Sequence, residues 1–313
     1  MKKGTIGVIL IIIVVILCLG GYFWYRNWKN EISKIPPTAP SDLVASQITA
    51  TQIKLTWKDN SNNEIGFILY RDGEILAELS ENKKTYLDTG RKPATSYYYQ
   101  IKAYNLAGES DVVSYPVTTL NPPIKIWIEK IGVHENGEEG ELGREYDWLG
   151  RPAKGEEFIS MLIQDEKTTV QKEFHYSLHK DEVTSVNELV FDSKEVGDHL
   201  RLFVTSFEDD GGNTEQLIYK AMGEVATSGF DLPISVLFKL AGVDISGIFA
   251  DIFADLFASG DDFMGSYGQD WNSSNDWGVG KYVDIGCPRE NGHVGLRLWF
   301  RVECPVYDYA LGK

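Results

Sequence analysis

Cysteine, histidine and uncompensated positive charge are all scarce in this chain. Three cysteines in 313 residues are too few for a disulfide-stapled scaffold. Only Cys287 and Cys304 lie outside the N-terminal apolar run, a pair with room for one bridge in an oxidising compartment. The five histidines include no H-E-x-x-H. His175 and His179 lie four apart in what reads as a strand, not on a helix, where that spacing builds a zinc site. No G-x-S-x-G, P-loop or dinucleotide fingerprint occurs, so no catalytic residue is assigned and enzymatic function is not expected. Basic residues number 30 against 46 acidic ones. That deficit is local: residues 1–120 hold 13 basic and 11 acidic side chains, residues 121–313 hold 17 and 35. An acidic domain repels phosphate backbones, which argues against nucleic acid as a partner. It suits cations or basic ligands, or serves as a surface kept soluble by like charge.

Charge is absent altogether from Thr5 to Tyr25. At ~1.5 Å per residue such a run makes a helix of roughly 32 Å, enough to cross a hydrocarbon layer of ~30 Å. A cleaved signal peptide is the rival reading, but its apolar core is usually about 7–15 residues and ends in small residues. Here the run ends in Tyr22, Phe23, Trp24 and Tyr25, which suit a membrane interface. Cys18 follows bulky Leu17 where a lipid-attachment signal has a small residue, so it reads as a membrane-buried cysteine. Residues 1–26 are therefore expected to be a transmembrane anchor, and a short N-terminal tail would stay inside and leave the rest of the chain extracytoplasmic. Residues 27–39 form a stalk that carries Pro36 and Pro37 and leads into Pro40, each fixing φ and disfavouring helix before it.

Short apolar runs with period two fill residues 40–120: Leu43/Ala45, Ile53/Leu55/Trp57, Phe67/Leu69, Ile75/Ala77/Leu79 and Tyr97/Tyr99/Ile101/Ala103. That pattern predicts a β-sandwich. Three stretches, Pro40–Leu43, Trp57–Phe67 and Pro93–Ser110, resemble a fibronectin type III domain over its whole length. The resemblance implies that Trp57 is a core tryptophan, that the Tyr97 hydroxyl ties back to upstream backbone, and that Asn105 and Gly108 shape the turn into the last strand. It implies a spacer or adhesive module and brings no catalytic residues. Arg71-Asp72-Gly73 reads as a hairpin turn with the favoured Asp-Gly pair.

Asn121-Pro122-Pro123 marks a boundary, and residues 124–313 read as a second, acidic β-sandwich. Strands are expected at Ile124–Ile128, Glu157–Ile163, Val170–Leu178, His199–Phe207, Gly280–Ile285 and Val294–Val302, with a long acidic loop over 134–155. Residues 231–259 break the pattern. Ile245, Ile248, Phe249, Ile252, Phe253, Leu256 and Phe257 recur at helical spacing with Asp244, Asp251 and Asp255 elsewhere on the wheel, predicting an amphipathic helix over 244–258. Its Asp-rich polar face argues against anionic lipid and for packing over one end or face of the sandwich. Trp271, Trp277, Tyr267 and Tyr282, in a Gly/Asn/Ser-rich stretch, read either as a sugar-stacking platform or as core and loop anchors. The fold class expected is thus all-β: a transmembrane helix, then two β-sandwich domains, the second with a helical insertion.

The acids Glu208-Asp209-Asp210 and Asp261-Asp262-Phe263-Met264-Gly265 stand at the end of one strand and beyond it. Calcium takes six to eight oxygens, and loops at one end of a sandwich supply carboxylates of this kind. Here the domain is similar to the C-two-type calcium-binding sandwich. That resemblance implies Glu208, Asp210, Asp261 and Asp262 as calcium ligands, with Glu157 approaching from another side. The expected function is binding or adhesion at the cell surface, toward a protein or carbohydrate ligand, with the membrane as partner through the N-terminal helix. The alternative is a surface glycan-acting hydrolase with the fibronectin module as its accessory.

Overall fold

The computed structural model describes residues 14–24, 34–134, 155–179, 181–208, 263–288 and 294–312. Residues 14–24 are helical, with Ile16, Leu17, Leu19, Phe23 and Trp24 exposed. Among the described residues no helix is long and apolar enough to cross a membrane. The rest of the apolar run, residues 5–13 and Tyr25, lies outside them, as do the amphipathic stretch 244–258 and most of the acidic loop. The chain divides into two compact units, residues 1–120 and 121–313.

In the first unit, β1 (Ser41–Ile48), β2 (Gln52–Lys58) and β5 (Thr85–Thr89) form one antiparallel sheet. The facing sheet runs β4 (Glu74–Ser80), β3 (Gly66–Arg71), β6 (Ser96–Asn105), with β7 (Gly108–Glu109) and β8 (Val113–Thr118) both paired to β6. Alternation decides which side chains are inside: Ile53, Leu55 and Trp57 of β2 and Phe67 and Leu69 of β3 are buried, and the Trp57 ring meets Phe67 edge-on at 5.9 Å. Asp72 and Gly73 both have positive φ and join β3 to β4 in a two-residue turn. The Lys92 N–H donates to Tyr97 Oη at 2.9 Å, the tie that defines a tyrosine corner. Asn105 Oδ1 accepts from the Ala107 N–H at 2.8 Å, while its Nδ2 donates to the carbonyls of Ile35 and Asn63.

The second unit is a sandwich of two four-stranded antiparallel sheets. One is ordered β12 (Val183–Ser193), β9 (Ile124–Val133), β16 (Val294–Glu303), β15 (Gly280–Pro288). The other is β11 (Thr169–Leu178), β10 (Gly155–Asp165), β13 (His199–Glu208), β14 (Phe263–Asn272). Ile124, Ile126 and Ile128 face Leu296, Leu298, Phe300 and Val302 along one inner surface, all at most 2% exposed.

Two strands here are not announced by period two. β12 carries register shifts at Ser185/Glu188 and Leu189/Phe191, with Asn187 at φ 52°, so its alternation is interrupted. In β14, Gly265 and Gly268 break the apolar signal into Phe263-Met264, Tyr267 and Trp271.

The possible Cys287–Cys304 bridge is not formed: Cys304 carries a free thiol. Register explains this, because Cys287 pairs with Leu296 while Gly280, seven residues earlier on β15, pairs with Val302. Cys304 therefore lies past the opposite end of the hairpin, over 20 Å away at ~3.3 Å per residue and far beyond the roughly 7 Å a disulfide allows.

Candidate functional site

Three short contacts fix which end of the second sandwich is which. The Val196 N–H donates to the Pro122 carbonyl at 2.9 Å, Trp277 Nε1 donates to the Gly197 carbonyl at 3.1 Å, and Lys125 is the register partner of Glu303. The starts of β9 and β13 and the ends of β12, β14 and β16 therefore share the near end, where the chain comes in from residue 121. At the far end lie the end of β9, the starts of β10 and β14, and the end of β13.

The far end is where the sequence places its acids. Glu157 and Glu208 are register partners on neighbouring strands, so two positions 51 residues apart in sequence sit side by side on the backbone. Phe263, immediately after Asp261 and Asp262, pairs with Phe207 on the next strand. Asp210, Asp261 and Asp262 themselves lie outside the described residues. Among the described residues no group of three or more His, Cys, Asp and Glu side chains is placed to hold a metal ion.

The aromatic residues resolve the other way. Trp271 and Trp277 are 3% and 1% exposed, so they form core and not a sugar-stacking platform. Trp271 packs with Tyr282 and Phe300 at 5.8 and 6.3 Å, and Tyr282 stacks on Phe300 at 4.3 Å. The Tyr282 hydroxyl donates to the Gly278 carbonyl, and burial pushes its pKa up.

Sequence reasoning missed the outer surface of β9, β16 and β15. Arg301 lies over the Trp127 ring at 4.7 Å, donates to Glu129 through Nη1 at 2.8 Å and to Glu303 through Nε at 2.7 Å. Arg297 repeats the arrangement over Trp299 at 5.2 Å, with both Asp284 oxygens at 2.6 Å. The signal was present as Arg-x-Trp-x-Arg on one strand, in which period two puts all three side chains on one face.

Below Arg301 and Lys281, the turn after β16 closes a groove of about 710 Å³ lined by Cys304, Tyr307, Asp308 and Tyr309. Two caps hold that turn. The thiol of Cys304 accepts from the amides of Val306 and Tyr307, while burial raises its pKa, and Asp308 Oδ1 accepts from Ala310 and Leu311. The volume is that of a small-ligand site, within the roughly 300–1,000 Å³ common for such pockets. Its basic groups are already paired, Lys281 with Glu129 and Arg301 with Glu129 and Glu303.

The Arg301 guanidinium, followed by Lys281, holds the Glu129 carboxyl below its ordinary 4.5. A carboxylate whose folded pKa is depressed stabilises the fold above its unfolded pKa, and that contribution is lost as pH falls toward the folded value. The expected outcome is that the stability of the second unit declines with acid below about pH 4.5, and that Glu129→Gln flattens this decline. Denaturant titrations of the full chain at a series of pH values check it, and an unchanged slope in the variant would remove Glu129 from the account.

Residues 38–119 match the family model of the fibronectin type III domain. This segment is a fibronectin type III domain. The chain is 30% identical over 95 residues to gellan lyase of a Bacillus species, covering 30% of this chain and 4% of that protein. It is 33% identical over 90 residues to chitinase Chi52 of Paenibacillus xylanexedens, covering 28% and 17%. The chain thus spans less than a fifth of the length of these relatives. A solved fibronectin type III structure, FN3tt, is 22% identical over 27% of this chain and 96% of that chain, with a TM-score of 0.24.

Proposed function

We propose that this protein is a membrane-anchored, non-catalytic binding module, in which the fibronectin type III domain is a spacer and the acidic sandwich presents the ligand-binding end outside the cytoplasm. One observation carries the reading. The relatives are named as enzymes acting on polysaccharides, yet what this chain shares with them extends over 90 or 95 residues, the size of the fibronectin module alone. A module of that kind travels between proteins as a spacer or an aid to binding, while chemistry belongs to sites elsewhere in the chain. The uncharged run from Thr5 to Tyr25 supports the anchor, and the described helix over residues 14–24 falls inside it.

Carbohydrate is the ligand class this supports. Full-length protein in detergent is expected to co-sediment with an insoluble polysaccharide such as chitin without releasing reducing ends. Release of sugar at enzymatic rates would replace this reading by the glycan-acting hydrolase, and failure to bind any polysaccharide would leave protein adhesion.

Calcium belongs to the same proposal. The residues that would hold it are Glu157 and Glu208, side by side at the far end of the sheet, with Asp210, Asp261 and Asp262 in the sequence adjoining those strand ends. An ion bound only by the folded state at a hundredfold excess over its Kd adds about 2.7 kcal/mol. Millimolar calcium is then expected to raise the Tm of the acidic unit by several degrees, with no such shift in Asp210→Ala or Asp262→Ala. A melt indifferent to calcium and chelator would reduce these acids to a solvated rim.

A further inference from the structure

The two central strands of the sheet β11-β10-β13-β14, β10 and β13, are buried on both faces, although only one face meets the sandwich core. Residues directly opposed across antiparallel strands share a face. Met161 and Val204 therefore go with Tyr267, and Leu200 with Trp271, toward Phe300 of the other sheet. Phe158, Ser160, Leu162, Gln164, Phe203 and Thr205 point the opposite way. On a two-layer sandwich they would face water, yet their exposures are 1, 0, 3, 7, 7 and 7%. The sequence says the same independently. Phe158-Ile159-Ser160-Met161-Leu162-Ile163 is a near-continuous apolar run, the pattern of a strand covered on both sides and not of one with a solvated face.

We propose that this outward face is the docking surface for the amphipathic stretch 245–257 of the same chain. Residues 209–262, 54 in all, leave the sheet at Glu208 on β13 and return at Phe263 on β14. Both points of attachment are on neighbouring strands of this sheet. Within that segment, Ile245, Ile248, Phe249, Ile252, Phe253, Leu256 and Phe257 make an apolar stripe at helical spacing that needs an apolar partner. Lengths agree: helix from 245 to 257 spans about 18 Å, and strand from Phe158 to Gln164 about 20 Å. The other long connection, residues 135–154, joins β9 to β10 and carries five glutamates and an aspartate, and its large apolar side chains, Leu142, Tyr146, Trp148 and Leu149, make no stripe of the length seen over 245–257. Docked this way, the stripe turns Asp244, Asp251 and Asp255 outward, and the unit has three layers instead of two. The inference concerns the fold of the acidic unit and stands whether or not the unit binds carbohydrate.

The test is photo-crosslinking on the full chain. p-Benzoylphenylalanine in place of Phe203, irradiated and mapped by mass spectrometry, is expected to give adducts within 245–257 at several times the yield of any other segment. Adducts concentrated in 135–154, in residues 34–120, in detergent or in a second copy of the chain would overturn the proposal. A second measurement needs no photochemistry. Thiol labelling at Thr205→Cys, read on the peptide bearing that position, is expected to accelerate at least tenfold when Phe249→Asp and Phe253→Asp are added. Equal rates would overturn it.

Discussion

Replacing Asp88 by alanine is expected to cost the fibronectin type III unit about 3–5 kcal/mol, the penalty for breaking a buried ion pair by removing one partner. Asp88 lies on β5 at 3% exposure, where no strand-pattern rule asks for a charge. Its two oxygens receive Arg71 Nη1 at 3.0 and 2.8 Å, Arg91 Nε stands 3.3 Å away, and the Tyr99 hydroxyl donates to it at 2.6 Å. Tyr99 is fully buried, and burial first, then the Asp88 carboxylate, drives its pKa far above the phenolic range. Alanine would strand that hydroxyl and take the carboxylate from two half-buried guanidinium groups, of which Arg91 keeps the Thr89 carbonyl. Tyr99→Phe removes one donor and keeps the ion pairs, so about 1 kcal/mol is expected there. In the double variant part of the Asp88→Ala loss should return, since the orphaned hydroxyl is gone. Denaturant unfolding of the three variants measures this. A loss under 1 kcal/mol for Asp88→Ala would mean that water reaches the cluster.

The contrast between Asp88 and its neighbours shows where sequence reading works. Period two identified Ile53, Leu55, Trp57, Phe67, Leu69, Tyr99 and Ile101 as inward, because alternation is a local property of strands. It is silent on Asp88, whose partners Arg71 and Tyr99 come from strands of the facing sheet, 17 and 11 residues away. In the second unit Val294–Val302 was readable as a strand, and a tight hairpin at Gly292 already set Cys287 opposite about position 296, where the register against β15 places it. At the far end, the acids were conspicuous in composition. That Glu157 and Glu208 are neighbours depends on the pairing of β10 with β13, which no local pattern encodes. For Trp271 and Trp277 the sequence left platform and core both open for a related reason: a Gly/Asn/Ser-rich stretch looks like loop, and tertiary packing shows the indoles turned inward, as the core reading has them.

That stretch also holds a backbone position intolerant of change on two counts, conformation and space. Asp276, Trp277 and Gly278 follow one another at φ 53, 51 and 71° in the turn Ser273–Gly278, three successive residues in left-handed space. A Cβ on Gly278 would stand 2.4 Å from the Trp271 ring, itself 3% exposed and held by Tyr282 and Phe300. Gly278→Ala therefore combines left-handed strain of roughly 1–2 kcal/mol with overpacking of roughly 1–3 kcal/mol. A loss of about 2–5 kcal/mol is expected. Gly280→Ala is the internal control, since its Cβ would meet nothing closer than 3.9 Å, and its effect should stay within about 0.5 kcal/mol. The comparison isolates the turn, because both glycines lie within two residues of each other beside the same aromatic stack. Equal and small effects would show that the Trp271 ring can slide away and that the stack does not fix the turn. A large effect confined to Gly278 would show that the strain at Asp276 and Trp277 persists because Trp277, with its indole N–H on the Gly197 carbonyl, is worth more buried than the backbone costs.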